Sequence, residues 1–140
     1  MLCMLLAALL TAFAVYAVSE DENDEQGWLV LAKEANRNED YETALRYYEV
    51  AAQEGNTTAQ IMAAIFYYYG VGTEQSFEKA AEYYRLSADQ NDPDALECLG
   101  YLYMNGLGVE QSTETALDLY RRAAALGSEE AQLQLEMYAE

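Results

Sequence analysis

An all-helical stack of antiparallel helix pairs is the fold this sequence predicts. Three observations predict it: a period of 36 residues, small and large apolar residues four apart within each period, and helix caps that recur in the same frame. The clearest copy runs from Ala95 to Val109 and then from Ala116 to Gly127. Moved back by one period, Ala95 falls on Ala59, Gly106 on Gly70, Gly108 on Gly72, Ala116 on Ala80, Tyr120 on Tyr84 and Ala124 on Ala88. A second step back reaches Ala44, Tyr48 and Ala52, and a step forward carries Ala95 to Ala131.

Each unit reads as two short helices and a glycine turn. In the second helix Ala116, Tyr120 and Ala124 share one face, and their small-large-small order lets a neighbouring helix approach and receive the ring. In the first helix Ala95, Leu99 and Tyr103 follow the same spacing, with Gly100 expected where a second backbone passes. Asp40, Ser76 and Ser112 precede the second helices and are predicted N-caps, with Glu42, Glu78 and Glu114 facing the positive helix ends. Gly55, Asn91 and Gly127 stand where those helices must close in a left-handed conformation. Asn56, Asp92 and Ser128 then cap the next first helices, with Pro93 at a first helical position.

The string L-G-x-x-Y-x-x-G-x-G-V followed by A-x-x-x-Y-x-x-A-A-x-x-G, as it stands in Leu99 to Gly127, resembles a Sel-1-like repeat, a relative of the tetratricopeptide repeat. The copy at Ala59 to Asn91 departs mildly: Ala64 replaces the glycine, Thr73 the valine, Ser87 the first alanine and Asn91 the closing glycine. In both copies a serine, Ser76 or Ser112, stands where the family often has a capping aspartate. The resemblance implies a right-handed α-α superhelix and a role as an adaptor or scaffold that binds another protein.

Taken in order, residues 1–17 carry no charged side chain, and Val15-Tyr16-Ala17 ends them with small residues at the two positions a signal peptidase reads. A cleaved secretory signal is expected, placing the protein in a periplasm, a secretory lumen or the medium. An uncleaved membrane anchor, short for a span of about 20 residues, and a buried helix are the other two readings. Residues 18–27 are expected to be an acidic linker or a frayed helix start; the D-x-[DN]-x-[DN]-G spacing of a calcium loop is absent. Residues 28–58 form a shortened first repeat, in which Trp28, Leu31, Ala32 and Ala35 follow the skeleton of a tetratricopeptide first helix and the G-x-G extension is missing. Full repeats follow at 59–94 and 95–130. Residues 131–140 are one more first-type helix, expected to cap the stack.

Composition narrows the function. A formal charge of −18 with only seven Lys and Arg disfavours nucleic acid and anionic membrane surfaces, and favours a protein or peptide partner with a basic surface. The chain has no histidine, which removes the usual general base and the commonest metal ligand. No G-x-S-x-G, C-x-x-C or H-E-x-x-H pattern is present, and the G-x-G pairs at Gly70 and Gly106 lack a following Walker lysine. No enzyme, cofactor or metal is therefore expected. Loss of residues 1–17 would remove Cys3 and leave Cys98 alone, unlike the family's cysteine-rich branch, whose repeats carry disulfides. That branch is linked to penicillin binding; a β-lactam-binding or hydrolysing enzyme is thus one alternative, a purely structural array the other.

Thirteen tyrosines remain to be explained. Tyr67, Tyr84, Tyr103 and Tyr120 sit at core positions of the repeat. By analogy with tetratricopeptide arrays, an inner groove is lined by first-helix positions offset from that core. The predicted groove residues are Lys33, Arg37, Ile65, Tyr68, Tyr69, Glu97, Tyr101 and Met104; packing between repeats is the competing explanation for them. Asn56-Thr57-Thr58 is also a glycosylation sequon, at odds with the capping role of Asn56.

Overall fold

The computed structural model describes residues 24–138, and among them there are seven α-helices and no strand. They are α1 (Asp24–Arg37), α2 (Tyr41–Gln53), α3 (Thr57–Tyr69), α4 (Phe77–Ala88), α5 (Pro93–Asn105), α6 (Thr113–Ala125) and α7 (Glu129–Tyr138). Each packs on its neighbours in the chain, as a linear stack of helix pairs requires. The expected signal, residues 1–17, lies outside the described residues. So does most of the acidic segment, but α1 begins at Asp24, so residues 24–27 are helix and not linker.

The core is built on alanines. Ala44, Ala59, Ala63, Ala64, Ala80, Ala95 and Ala116 have no exposed surface, and the rings of Tyr48, Tyr84 and Tyr120 fill the space they leave. Along α2, buried Ala44, Leu45, Tyr48, Ala51 and Ala52 form one stripe, the spacing of a helix with one apolar face. Tyr67 is buried as expected, whereas Tyr103 is only half-buried and its hydroxyl accepts from Arg85 at 3.1 Å.

The caps form in the predicted frame. Asp40, Ser76 and Ser112 accept from the amides of Thr43, Lys79 and Thr115 at 3.3, 3.3 and 3.2 Å. Asn56, Asp92 and Ser128 accept from Ala59, Ala95 and Ala131 at 2.9, 3.1 and 3.0 Å. Each bond satisfies an amide that the helix itself leaves free. The first helices end with equal regularity: Gln75 and Gln111 each donate through Nε2 to a terminal carbonyl, of Tyr68 at 2.7 Å and of Met104 at 2.9 Å. In the shortened first repeat no glycine serves the turn, and Glu39 takes the left-handed conformation at φ 61°.

Four small residues behave differently from expectation. Gly100 makes room for a ring, not a backbone: a Cβ there would stand 2.8 Å from Cε1 of Tyr120. The second glycine of each G-x-G pair is the contact between repeats. A Cβ on Gly72 would meet the carbonyl of Tyr41 at 2.5 Å, and one on Gly108 would meet that of Phe77 at 2.2–2.3 Å, so each glycine loop lies against the start of the previous repeat's second helix. Ser87 stands where Ala51 and Ala123 stand in the neighbouring units; it is fully buried and its hydroxyl has no hydrogen-bond partner among the described residues. That substitution is less mild than the repeat pattern suggests.

Candidate partner-binding groove

The first helices α3 and α5 lie in successive repeats, and a hollow of about 460 Å³ opens between them. Its lining is Ile65, Tyr68 and Tyr69 from α3, Cys98, Tyr101 and Leu102 from α5, and Tyr84 from α4 beneath. Four of the predicted groove residues, Ile65, Tyr68, Tyr69 and Tyr101, therefore meet in one place. Tyr69 is 68% exposed and Tyr101 49%, a large aromatic surface that no core contact requires. Tyr68 is half-buried, with its ring against that of Tyr69 (centroids 4.8 Å apart, 72°) and that of Phe77 (5.1 Å, 65°).

The other four predicted residues lie elsewhere. Lys33 and Arg37 are exposed on α1, in the first repeat. Glu97 is half-buried and accepts from the Ser128 hydroxyl at 2.6 Å, so it steadies the cap of α7. Met104 is half-buried against the core at the end of α5. The side chain of Asn56 is half-buried and occupied in its cap, as the helix start demands.

Chemically the hollow is quiet. Burial pushes the Cys98 thiol up; a hydrogen bond from Tyr84 pulls it back, and Glu97, Asp94 and Asp92 add to the rise. A thiol held in this way is a packing group and a poor nucleophile. Burial also raises the phenols of Tyr68 and Tyr84, with Tyr101 contributing at Tyr68 and Cys98 at Tyr84, so both stay neutral. Among the described residues no group of three or more His, Cys, Asp or Glu side chains could hold a metal ion. No described helix is long and apolar enough to cross a membrane.

A second polar cluster, which sequence reasoning missed, involves none of the residues that line this hollow. Tyr67 and Tyr83 both donate to Oε1 of Glu49, at 2.5 and 3.2 Å, and their rings stack with centroids 5.8 Å apart. Lys79 places Nζ 4.7 Å from the centre of the Tyr67 ring and 3.4 Å from its hydroxyl. Burial first, and Glu49 second, push Tyr83 up to about 12 and raise Tyr67 as well.

The repeat architecture matches known proteins along most of its length. The family model described as Sel1 repeat matches three times, at residues 35–56, 57–92 and 93–128. The chain belongs to the Sel1 repeat family. Its Sel1 repeats begin at α3 and α5, two residues before the alanines that frame the period. Among solved structures, the chain is similar to a Sel1 repeat protein from Oxalobacter formigenes, at 27% identity and a TM-score of 0.76 over 83% of this chain and 90% of that one. It also resembles in fold a protective antigen of uropathogenic Escherichia coli strains displaying an SLR fold (24%, TM-score 0.78, 89% of this chain and 27% of that one). Helicobacter pylori cysteine rich protein B shares the fold too (24%, TM-score 0.64, 90% and 91%). No curated protein sequence matches the chain. The family's repeats form interaction scaffolds, and the hollow lies on the face made by the first helices.

Proposed function

We propose that this Sel1 repeat protein is an exported, non-catalytic adaptor that holds another protein or peptide against the inner face of its first helices. The observation that carries this is the exposure of Tyr69 and Tyr101 around an open hollow whose other walls are also apolar or aromatic. Rigid aromatic side chains in a pre-formed recess are the usual anchors of a protein interface. The charge of −18 favours a partner with a basic surface and disfavours nucleic acid. Export rests on the uncharged stretch 1–17. A catalytic role lacks support because the chain has no histidine and the hollow offers a neutral thiol and neutral phenols.

The test is photo-crosslinking in the source cells, with a benzophenone amino acid at position 101 and, as control, at the exposed Arg121. One partner captured repeatedly from 101 and not from 121, by a protein whose intact mass starts at Val18, is the expected result. Equal capture from both positions would place the interface elsewhere, and a mass that retains Met1 would contradict a cleaved signal.

A further inference from the structure

Gln60, buried on α3, is held from two sides. Its Nε2 donates to the carbonyl of Ala52 at the end of α2, and its Oε1 accepts from Nε2 of Gln90, which also donates to the carbonyl of Gly55, all at 3.0 Å. Gln90 lies just past the end of α4, so the amide that closes this socket arrives with the second helix packed on α3. Two periods on, the positions of Ala52, Gly55 and Gln60 are Ala124, Gly127 and Gln132, and with Ser128, Glu129 and Leu133 they line an open hollow of about 320 Å³. Among the described residues no second helix follows α7, and Gln132 is exposed where Gln60 and Leu96 are buried. The last helix thus presents the socket without the group that fills it in the second repeat. What the socket offers is acceptors: the Gly127 carbonyl, the Glu129 carboxylate and the amide oxygen of Gln132, whose Nε2 is turned to Oε1 of Glu136 at 3.5 Å.

The rest of that face fixes the chemistry of what covers it. Gln132 and Glu136, four residues apart, form one row along α7, and Leu133 and Met137, 57% and 62% exposed, form the row beside it. The counterparts of Gln132 and Glu136 on α5 are Leu96 and Gly100, both buried. Gly100 leaves so little room that a Cβ would stand 2.8 Å from Cε1 of Tyr120. A helix of the repeat's own kind, with a tyrosine at that register, would drive its ring into Glu136. The helix that fits has a small residue there and cations nearby. In α7 the carboxylates are Glu129, Glu130 and Glu136, there is no base, and none of the three makes an ion pair among the described residues. A second copy of this chain would set the same carboxylates against them, so charge favours a basic partner.

We infer that the open end of the stack at α7 docks a basic amphipathic helix of a partner protein, which packs apolar side chains on Leu133 and Met137 and sets lysine or arginine side chains against Glu136 and into the socket of Gly127, Glu129 and Gln132. Apolar burial along one row supplies affinity, and the carboxylates and carbonyl beside it supply the preference for cationic donors. This surface shares no residue with the hollow between α3 and α5, so neither reading depends on the other.

The test is fluorescence anisotropy of the purified full-length chain with a labelled, end-blocked helical peptide that carries a leucine stripe flanked by lysines, at fixed salt. Glu136→Lys is expected to weaken binding by roughly tenfold, and Asp118→Lys, the same change of net charge at an exposed position on α6, by less than about threefold. Leu133→Ser is expected to weaken it by roughly fivefold, and Tyr69→Ala, on the inner face, by less than about twofold. A peptide with glutamates in place of its lysines is expected to bind Glu136→Lys more tightly than the parent. All four substitutions fall on exposed side chains, and circular dichroism checks that each variant is folded. Equal losses in Glu136→Lys and Asp118→Lys would reduce the effect to general attraction and overturn the inference, as would an unchanged affinity in Leu133→Ser or no binding of the lysine peptide. A loss in Tyr69→Ala as large as that in Leu133→Ser would overturn it by placing the peptide on the inner face. Light scattering of the chain alone tests the other occupant: a dimer that Leu133→Ser dissociates would give the face to a second copy and overturn the inference, and a monomer is expected.

Discussion

The two joints between successive repeats use the same tyrosine with opposite charges. Between the first and second repeats Tyr67 donates to Glu49, and Tyr83 donates to the same oxygen. Between the second and third, one period on, Tyr103 accepts from Arg85, and Leu119 stands in place of Tyr83. A phenol both donates and accepts, so a carboxylate and a guanidinium can occupy one geometric position. The repeat therefore fixes where the contact is made and leaves its charge free. The consequences are unequal, because Glu49 is half-buried and accepts from two phenols whose rings stack, whereas Arg85 is exposed and meets one half-buried phenol. The first joint is a closed network, and the second reaches water.

The largest effect common to both joints is expected from their glycines. Gly108→Ala and Gly72→Ala each force a methyl into the previous repeat's backbone at a residue with φ +67°. Each is expected to cost about 3 kcal/mol or more in urea denaturation, with Gly108 the worse because its contact is closer. A smaller change separates the joints. Glu49→Ala strands two phenol hydroxyls and is expected to cost about 2–3 kcal/mol, whereas Arg85→Ala is expected to cost less than about 1 kcal/mol because Tyr103 finds water. Equal losses on denaturation would show that the two joints are alike after all.

Alkali tests the closed joint without mutation. Tyr83, held at about 12 by burial and by Glu49, keeps its proton in the folded state where an unfolded tyrosine, near 10, gives it up. Its contribution is therefore complete below about pH 10 and is lost as pH rises towards 12, at about 1.4 kcal/mol per pH unit in that interval. In the parent, the last fraction of the phenolate absorbance should appear together with the unfolding followed by circular dichroism. In Glu49→Gln, part of the ionisation should move to lower pH, since the carboxylate's share of the shift is gone.

Most of the scaffold was legible because it depends on short-range rules. Six caps, Pro93 and the closing residues Gly55, Asn91 and Gly127 can each be placed from their immediate neighbours. What escaped depends on contacts between units. Gly72 and Gly108 look like turn residues until the preceding repeat is set against them, and Gly100 takes the ring of Tyr120. Glu49, Arg85 and Arg121 each follow the core tyrosine of a second helix, one period apart, but their opposite charges make the position read as surface. Recurrence with a partner 18 residues on, Tyr67 for Glu49 and Tyr103 for Arg85, is the signal that would have found the contact. In the groove, Ile65, Tyr68, Tyr69 and Tyr101 line one hollow, as their shared offset in the repeat suggests, while Glu97 lies outside that lining, and its link to Ser128, at the cap of the last helix, could not be read from its own helix.

The smallest effect on stability is expected at the hollow itself, and there the separation of function from fold is tested most directly. Tyr69→Ala with Tyr101→Ala removes two exposed rings and is expected to shift unfolding by no more than about 0.5 kcal/mol for each residue. Urea denaturation and partner capture should be measured on the same preparation of that double variant, with the crosslinker moved to Tyr68's neighbour Ile65. An unfolding transition shifted by no more than that small amount, with loss of the captured partner, is the expected result. Undiminished capture by a stably folded double variant would contradict a binding surface at the first helices.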